Sequence, residues 1–297
     1  MSNSPLQGVI VPAITPVDDE DRVDEAAFRA GLRRLIAGGV DGVFVGGSAG
    51  EGPLLTDREW ERMAGIAADE VRGDAPLLGG AMDASTPRVL HKLRLLARLG
   101  YAHAVVTPTY YLTLRHPDEY LRLFGACVEA AGEMEIVAYN IPPCTGSILP
   151  AETVVEMARR GWIRTIKDSS GDFDYLCRLL AEGAEHGLRV LQGDELAIGE
   201  GLRAGAAGIV PVGANYDLGV YRRACRAAGD GDEAALERCM ARIMALRQAL
   251  VLAGPQWIAG VKYALSRLGI GSGRPISPLQ PLTPAQRAAV DAFMAAD

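Results

Sequence analysis

Residues 135–169 read EIVAYNIPPCTGSILPAETVVEMARRGWIRTIKDS. The two apolar runs at 135–142 and 163–169 are the length of buried strands, and the amphipathic stretch at 150–160 has helical periodicity. Gly161 follows that helix, as glycine often does at a helix C-terminus. The order strand, helix, strand predicts a βαβ unit with two parallel strands.

The same alternation continues along most of the chain. Strict alternation indicates parallel strands with helices outside, and eight units in about 215 residues favour a closed (β/α)8 TIM barrel over an open doubly wound sheet. No GxGxxG fingerprint follows the first strand, which also disfavours a dinucleotide fold. The predicted strands are Gly8–Pro16, Gly42–Ser48, Pro76–Met82, Ala102–Pro108, Glu135–Pro142, Ile163–Ser169, Arg189–Asp194 and Gly208–Gly213. The predicted intervening helices include Asp24–Ala37, Asp57–Val71, Thr86–Leu99, Pro117–Ala131, Pro150–Arg160 and Asp172–Glu182.

Strand signals stop after Asn215. We therefore predict a barrel domain over residues 1–216 and a C-terminal helical extension, residues 217–297, packed on the barrel. The extension has too few strand signals to form a catalytic domain of its own. Its predicted helices are Asp217–Ala228, Asp232–Ala253, Pro255–Leu268 and Thr283–Ala296, with a Gly/Pro-rich connection at Gly271–Pro284.

Composition narrows the functional class. The formal net charge of −7 gives no electrostatic support for binding nucleic acid or an anionic membrane. No apolar window has the length of a membrane span, and the first residues do not have the form of a signal peptide. The five cysteines are odd in number and form no CxxC pair, which is typical of a reduced, cytoplasmic protein.

Lysine is scarce in this sequence, and its three positions differ. Lys92 lies in a polar helical pattern, where we expect a solvated ammonium group, and Lys262 lies within a helix. Lys167 lies in the predicted apolar strand of residues 163–169, where burying an amine is costly. Two interpretations stay open at this point. Lys167 forms a buried ion pair with Asp168 or Asp194, or its pKa is lowered so that it can attack a carbonyl group.

Groups that could assist such an amine lie at other strand ends. Tyr139 and Tyr110 could carry protons, and Ser48 could relay them. The Gly46–Gly50 turn could present backbone N–H groups to a carboxylate or phosphate. Taken singly, each has an ordinary structural explanation, because buried tyrosines need hydrogen bonds and glycines make tight turns.

Metal and triad chemistry have no comparable pattern. The four histidines are isolated, without HxH or HExxH spacing, so we predict no metal and no cofactor. No GxSxG elbow is present either. The histidines are His91, His103, His116 and His186.

Three segments together carry a resemblance. Gly46-Gly47-Ser48-Ala49-Gly50-Glu51, residues 139–146 (YNIPPCTG) and residues 166–171 (IKDSSG) occur in this order on predicted strands 2, 5 and 6. With Ile14-Thr15-Pro16 and Leu54-Leu55-Thr56, this set resembles the dihydrodipicolinate synthase / N-acetylneuraminate lyase family of class I aldolases. The resemblance covers nearly the whole chain.

The resemblance implies roles for single residues. Lys167 would form a Schiff base with a 2-oxo acid, most simply pyruvate, and Tyr139 would act as general acid and base. Ser48 stands where the family has a Thr or Ser whose hydroxyl relays protons. Ala49 stands where many members have a second threonine, although its backbone N–H could still bind the substrate carboxylate, as could that of Gly47. Tyr110 resembles the tyrosine that reaches a neighbouring subunit's site.

Further implications concern the pocket and the assembly. Val210 falls at an apolar position lining the pyruvate pocket. Gly193, at the predicted end of strand 7, is a further candidate substrate-binding residue. Members are commonly tetramers built from tight dimers, so we expect a homotetramer, a dimer of dimers.

Two departures from the family bear on the second substrate. Dihydrodipicolinate synthases usually carry an arginine at the position of Cys144, and a thiol cannot replace its bidentate grip on a carboxylate. Ala49 removes a hydroxyl as well. We therefore expect an aldolase or dehydratase acting on a 2-oxo-3-deoxy sugar acid or a related hydroxy-oxo acid. The alternatives are 4-hydroxy-tetrahydrodipicolinate synthase activity, using aspartate semialdehyde, and a non-catalytic 2-oxo-acid sensor.

Overall fold

The protein is described here by a computed structural model that covers residues 5–254 and 256–296. Eight parallel strands form a closed barrel in which each strand pairs with the next and β8 returns to β1. The predicted TIM barrel is confirmed. The strands are β1 Gly8–Pro12, β2 Gly42–Val45, β3 Leu77–Gly80, β4 His103–Val106, β5 Glu135–Asn140, β6 Ile163–Asp168, β7 Arg189–Gln192 and β8 Gly208–Ile209.

Helices surround this barrel and continue beyond it. The barrel helices are α1 Glu25–Ala37, α2 Asp57–Val71, α3 Thr86–Arg98, α4 Pro117–Ala131, α5 Pro142–Thr145, α6 Ala151–Arg159, α7 Phe173–Gly183 and α8 Ile198–Arg203. The later helices are α9 Leu218–Asp230, α10 Glu233–Leu246, α11 Ala259–Arg267 and α12 Pro284–Ala295.

Side-chain caps fix where many of these helices begin. In each, an Asp or Thr oxygen accepts the backbone N–H three residues later, which satisfies a donor that the helix leaves free. Such a cap stabilises a helix by about 1 kcal/mol. The capping residues are Asp24, Thr56, Asp172, Asp217, Asp232 and Thr283.

All eight predicted strands run one to four residues past the observed carboxyl ends, and some helix bounds fail as well. Strand 5 was expected to reach Pro142, but it ends at Asn140 and α5 begins at Pro142, because a proline cannot donate to a sheet ladder. The helix expected over Asp232–Ala253 ends its α-helical part at Leu246 and continues as a π-helical turn, Arg247–Val251. Pro255, the predicted start of the next helix, lies outside the described residues, and α11 begins at Ala259.

Strand residues alternate between two apolar clusters. Val9 and Val11 pack outward against helices, whereas Ile10 joins the smaller cluster that fills the barrel. Period-2 alternation of this kind places one set of side chains inside. The inner set forms a closed floor below the carboxyl ends of the strands. It includes Ile10, Phe44, Leu78, Val105, Val137 and Leu191.

The helices after β8 are bonded to the barrel. Lys262 of α11 forms a buried ion pair with Glu51, and Glu51 also accepts the Ile276 backbone N–H at 2.7 Å. Asn215 accepts the Ile14 N–H at 3.2 Å and donates to the Pro12 carbonyl at 3.0 Å. The Glu51 contacts hold the extension to the turn after β2, whereas Asn215 joins the segment after β8 to the end of β1. The division of the chain into a barrel domain, residues 1–216, and a helical extension, residues 217–297, stays a prediction.

Candidate active site

Neighbouring strands place Tyr139 and Lys167 side by side. The two residues are direct register partners between β5 and β6, so their side chains enter the barrel in the same layer. The Lys167 Nζ lies 4.0 Å from the centroid of the Tyr139 ring and 5.4 Å from that of Phe44. The lysine is 6% exposed. Its amine therefore ends in an aromatic niche at the carboxyl end of the barrel.

Lys167 makes no ion pair with any described residue. Asp168 points to the other side of its strand, where its carboxylate accepts hydrogen bonds from Asn140 at 2.8 Å and Ser170 at 2.9 Å. Asp194 instead caps the next turn through the Leu196 N–H. The ion-pair interpretation of Lys167 is wrong, because alternation and capping direct both carboxylates elsewhere.

Burial without a counter-ion changes the acidity of Lys167. Desolvation lowers its pKa to about 7, and the nearby Cys144 thiol opposes this only in part. Near neutral pH much of the amine is therefore uncharged and nucleophilic. The pKa of Asp168 changes in the opposite direction. Burial raises it to about 6, although the hydrogen bonds from Asn140 and Ser170 act to lower it.

The other two lysines are also buried, but both are paired. Lys262 faces Glu51. Lys92 lies 3.0 Å from Asp83 and donates to the Met82 carbonyl at 2.8 Å, so the expected solvated ammonium is wrong. The apolar face of α3 lies against the barrel and carries Lys92 inward with it, toward the carboxylate after β3.

Hydroxyl groups surround the Tyr139 phenol. Burial raises the pKa of Tyr139, and hydrogen bonding with Ser169 and Ser48 works against that rise. Ser48 also hydrogen-bonds the Cys144 thiol, whose pKa is raised by desolvation. Ser48 thus links the buried phenol to Cys144, a residue exposed at the edge of the site. Such a chain of hydroxyl and thiol groups can move protons.

The turn after β2 presents free backbone donors. The N–H groups of Gly47, Ser48 and Ala49 donate to no other described residue. The Ala49 side chain packs outward in the core, which leaves its backbone as the part available to a ligand. Gly47 has a packing reason as well, because a Cβ there would lie 2.6 Å from the Phe44 ring. Successive free amides suit a carboxylate.

Two further predicted residues lie close to Lys167 and Tyr139. A Cβ on Gly193 would come within 2.8 Å of the Lys167 Cε, so only glycine leaves room for the lysine stem. Val210 is buried inside the barrel, in the same cluster as Tyr139. The structure therefore brings both close to Lys167 or Tyr139.

A cavity of about 270 Å³ opens beside these residues. Ser48, Tyr110 and Cys144 belong to its wall, and Tyr110 is half-buried with a pKa raised by that burial. The extension completes the wall with Gln256, Trp257, Ile258 and Leu279. These four wall residues could not be predicted, since nothing local to residues 256–279 indicates contact with a strand-2 turn.

Two features are absent from the described residues. Over residues 5–254 and 256–296, no cluster of three or more His, Cys, Asp or Glu side chains is arranged to hold a metal ion. In the same ranges, no helix has the length and apolarity needed to cross a membrane.

An amine held without a counter-ion at the carboxyl end of a (β/α)8 barrel, next to a phenol and a row of free amides, is the arrangement of a lysine-dependent class I aldolase. The fold and the site define that class of lyase for this chain.

Comparison with known proteins gives the family. Residues 5–297 match the Dihydrodipicolinate synthetase family, and the chain belongs to it. It is 34% identical over 287 residues to a 4-hydroxy-tetrahydrodipicolinate synthase of Stenotrophomonas maltophilia, covering 96% of this chain and 94% of that protein. An uncharacterised DapA-like lyase of Halobacterium salinarum is 33% identical over 98% of this chain and 93% of its own length. The dihydrodipicolinate synthase structure from Bacteroides thetaiotaomicron superposes with a TM-score of 0.94 at 26% identity, covering 100% of both chains.

Proposed function

We propose that Lys167 forms a Schiff base with the C2 carbonyl of pyruvate or another 2-oxo acid. The enzyme would then act as an aldolase on a 2-oxo-3-deoxy sugar acid or a related hydroxy-oxo acid. The observation that carries this proposal is the buried amine without a counter-ion, with its pKa lowered to about 7. No carboxylate has to be displaced before the amine can attack.

The neighbouring groups supply the other steps. The free N–H groups of Gly47 and Ala49 hold the substrate carboxylate. Tyr139 protonates the leaving hydroxyl of the carbinolamine, so water departs and the Schiff base forms. The Tyr139 phenolate left by that step then removes a proton from C3 to give the enamine, and Ser48 and Tyr110 pass protons onward. The enamine carbon forms the new bond to an aldehyde carbon, or the reverse reaction breaks that bond.

A second candidate keeps the same Schiff base but changes the acceptor. The name of the Stenotrophomonas maltophilia relative favours 4-hydroxy-tetrahydrodipicolinate synthase activity. Cys144 disfavours it, because a thiol offers no bidentate contact to the carboxylate of aspartate semialdehyde. An assay with pyruvate and aspartate semialdehyde decides between them. Turnover at rates comparable to those with other aldehydes would support the second candidate.

We propose also that the chain works in the cytoplasm as a homotetramer, a dimer of dimers. Tyr111 is 90% exposed with a φ of 76°, and the adjacent Leu112 is 76% exposed. Large apolar side chains displayed together on a surface commonly mark an interface. Sedimentation of the purified protein tests this assembly, and a monomer at micromolar concentration would contradict it.

Borohydride reduction in the presence of saturating pyruvate tests the Schiff base. We expect a covalent adduct on Lys167, located by peptide mass spectrometry. Lys262 and Lys92 serve as internal controls, since both are buried and paired. A missing adduct, or one distributed over all three lysines, would refute the proposal.

A further inference from the structure

The cavity beside Lys167 has an outer half that the Schiff-base steps do not use. Lys167 and Tyr139 lie behind its inner edge, which Ser48 and Cys144 form. The space beyond that edge is where a second substrate must approach the enamine carbon. The whole cavity has a volume of about 270 Å³, slightly below the usual range for ligand pockets, which suits a small molecule.

Apolar side chains dominate this outer half. Met82 and Ile141 extend from the ends of β3 and β5, while Leu54 follows the strand-2 turn. Trp257 and Leu279 enclose the space from the C-terminal extension. Leu54 and Trp257 are 40% and 37% exposed, so apolar surface stays open to solvent at the entrance. A ligand that covers it would gain hydrophobic free energy.

No free charge of the described residues faces the same space. Among the described residues, the lining holds one charged side chain, Glu51, and no lysine or arginine. The Glu51 carboxylate is already bound by Lys262 and by the Ile276 N–H. A second carboxylate or a phosphate would therefore lose its hydration without gaining a cation, which is unfavourable.

The uncharged polar groups are few and partly engaged. The Thr145 hydroxyl donates to the carbonyls of Ile141 and Ser147 and has no second proton to offer a ligand. Thr107 and Gln256 are left to hold an oxygen such as that of an aldehyde, beside Tyr110, which the Schiff-base steps also use. A chain of sugar hydroxyls needs several matched partners, because buried hydroxyls without hydrogen bonds are costly.

We propose that this outer half is an acceptor subsite for an uncharged aldehyde with an alkyl or aryl group. The inference rests on the proposed Schiff-base function and selects a hydroxy-oxo acid over a sugar acid within it. The enamine carbon, formerly pyruvate C3, bonds to the aldehyde carbon, and the aldehyde oxygen takes up one proton. Water then hydrolyses the Schiff base and frees the Lys167 amine. The product is a 4-hydroxy-2-oxo acid with an apolar group on C4, and the reverse reaction cleaves it.

A panel of aldehydes at saturating pyruvate tests the subsite. We expect kcat/KM for hexanal and benzaldehyde to exceed that for D-glyceraldehyde and aspartate semialdehyde by about tenfold or more. A preference for either polar aldehyde overturns the proposal. If the Lys167 adduct forms but no apolar aldehyde reacts, the subsite proposal fails and the Schiff base stands. If no adduct forms, both fail.

Variants at the entrance sharpen the test. Leu54→Ala and Trp257→Ala should each reduce the preference for hexanal over D-glyceraldehyde by about tenfold, since each removes apolar contact. Both side chains are partly exposed, so the fold should tolerate their truncation. Leu268→Ala is the matched control, a 43% exposed leucine of the extension outside the cavity, and should leave the preference unchanged.

Leu54→Arg should shift the preference toward aspartate semialdehyde. An unchanged preference in all three entrance variants would overturn the proposal.

Discussion

Two buried lysines at the carboxyl end of the barrel have opposite surroundings. Lys262 is 3% exposed and faces the Glu51 carboxylate, which joins the C-terminal extension to the strand-2 turn. Lys167 is 6% exposed and faces the rings of Tyr139 and Phe44. The paired lysine holds two parts of the chain together. The unpaired lysine joins no two parts of the chain. We attribute its burial to the proposed Schiff-base reaction.

The electrostatic contrast follows from the same contacts. Burial lowers the pKa of Lys262, but the charge and hydrogen bond of Glu51 oppose that change. For Lys167 the opposing influence is only the Cys144 thiol. Desolvation therefore acts almost alone at Lys167, which is the usual route to a nucleophilic lysine.

The largest effect should follow from Lys167→Met. Methionine fills similar space without an amine, so Schiff-base formation should disappear and kcat/KM should fall by about 10³-fold or more. Pyruvate release from an accepted 4-hydroxy-2-oxo acid measures the loss. The variant should also show no adduct after borohydride reduction.

Stability should change little in the same variant. Removing an amine that has no ionic partner leaves no charge unpaired, and it relieves the cost of burying that amine. Urea unfolding near pH 7 should give a free energy equal to or above that of the wild type. A loss of more than about 2 kcal/mol would mean that Lys167 has a structural partner, and the contrast with Lys262 would break down.

The opposite result is expected for Lys262→Met. The Glu51 carboxylate would stay buried with one partner fewer, which typically costs about 3–5 kcal/mol. Urea unfolding measures this loss. The double variant Glu51→Gln/Lys262→Met should recover part of it, because a neutral amide is less costly to bury than a carboxylate.

Lys92→Met is the matched comparison. Asp83 would keep the Arg88 side chain at 2.7 Å and the Ala84 N–H at 2.7 Å after Lys92 is lost. Its carboxylate would remain satisfied, so the destabilisation should be clearly smaller than for Lys262→Met. Equal losses in the two variants would show that the number of remaining partners does not decide the cost.

Local periodicity was enough to predict the barrel and the position of Lys167. Strand and helix repeats are short-range signals, and alternation within β6 already separates Lys167 from Asp168. The partner of Lys262 could not be predicted in that way. Glu51 and Lys262 are 211 residues apart, and only the folded chain brings them together.

The surroundings of Lys92 and the residues of the outer cavity wall could not be predicted from the sequence, for related reasons. A polar helical pattern gave no sign that Lys92 would turn inward toward Asp83, which lies in a connecting loop. Trp257 and Leu279 reach the cavity because the extension folds back over the barrel. The resemblance singled out Lys167 as the candidate Schiff-base lysine, whereas the residues of the outer cavity wall are set by tertiary contacts.

The smallest expected effect concerns pH, and it tests whether Lys167 is desolvated in solution. The attacking species is the neutral amine, and its pKa is about 7. The rate of adduct formation with pyruvate should therefore rise through pH 7 and level off above pH 8. At pH 6 it should be about a tenth of the plateau. Rapid-mix trapping with borohydride across pH 5.5–9 measures the profile.

Unfolding provides an independent check on the same titration. The pKa of Lys167 in the folded protein lies below its unfolded value of 10.5, so between pH 7 and 10.5 the unfolded chain binds more protons. Stability should then rise with pH across that window by about 1.4 kcal/mol per unit relative to Lys167→Met. Below pH 7 the two proteins should show parallel curves. If the rate of adduct formation still rises steeply at pH 9 and the two stability curves stay parallel above pH 7, Lys167 is solvated like an ordinary lysine and its contrast with Lys262 disappears.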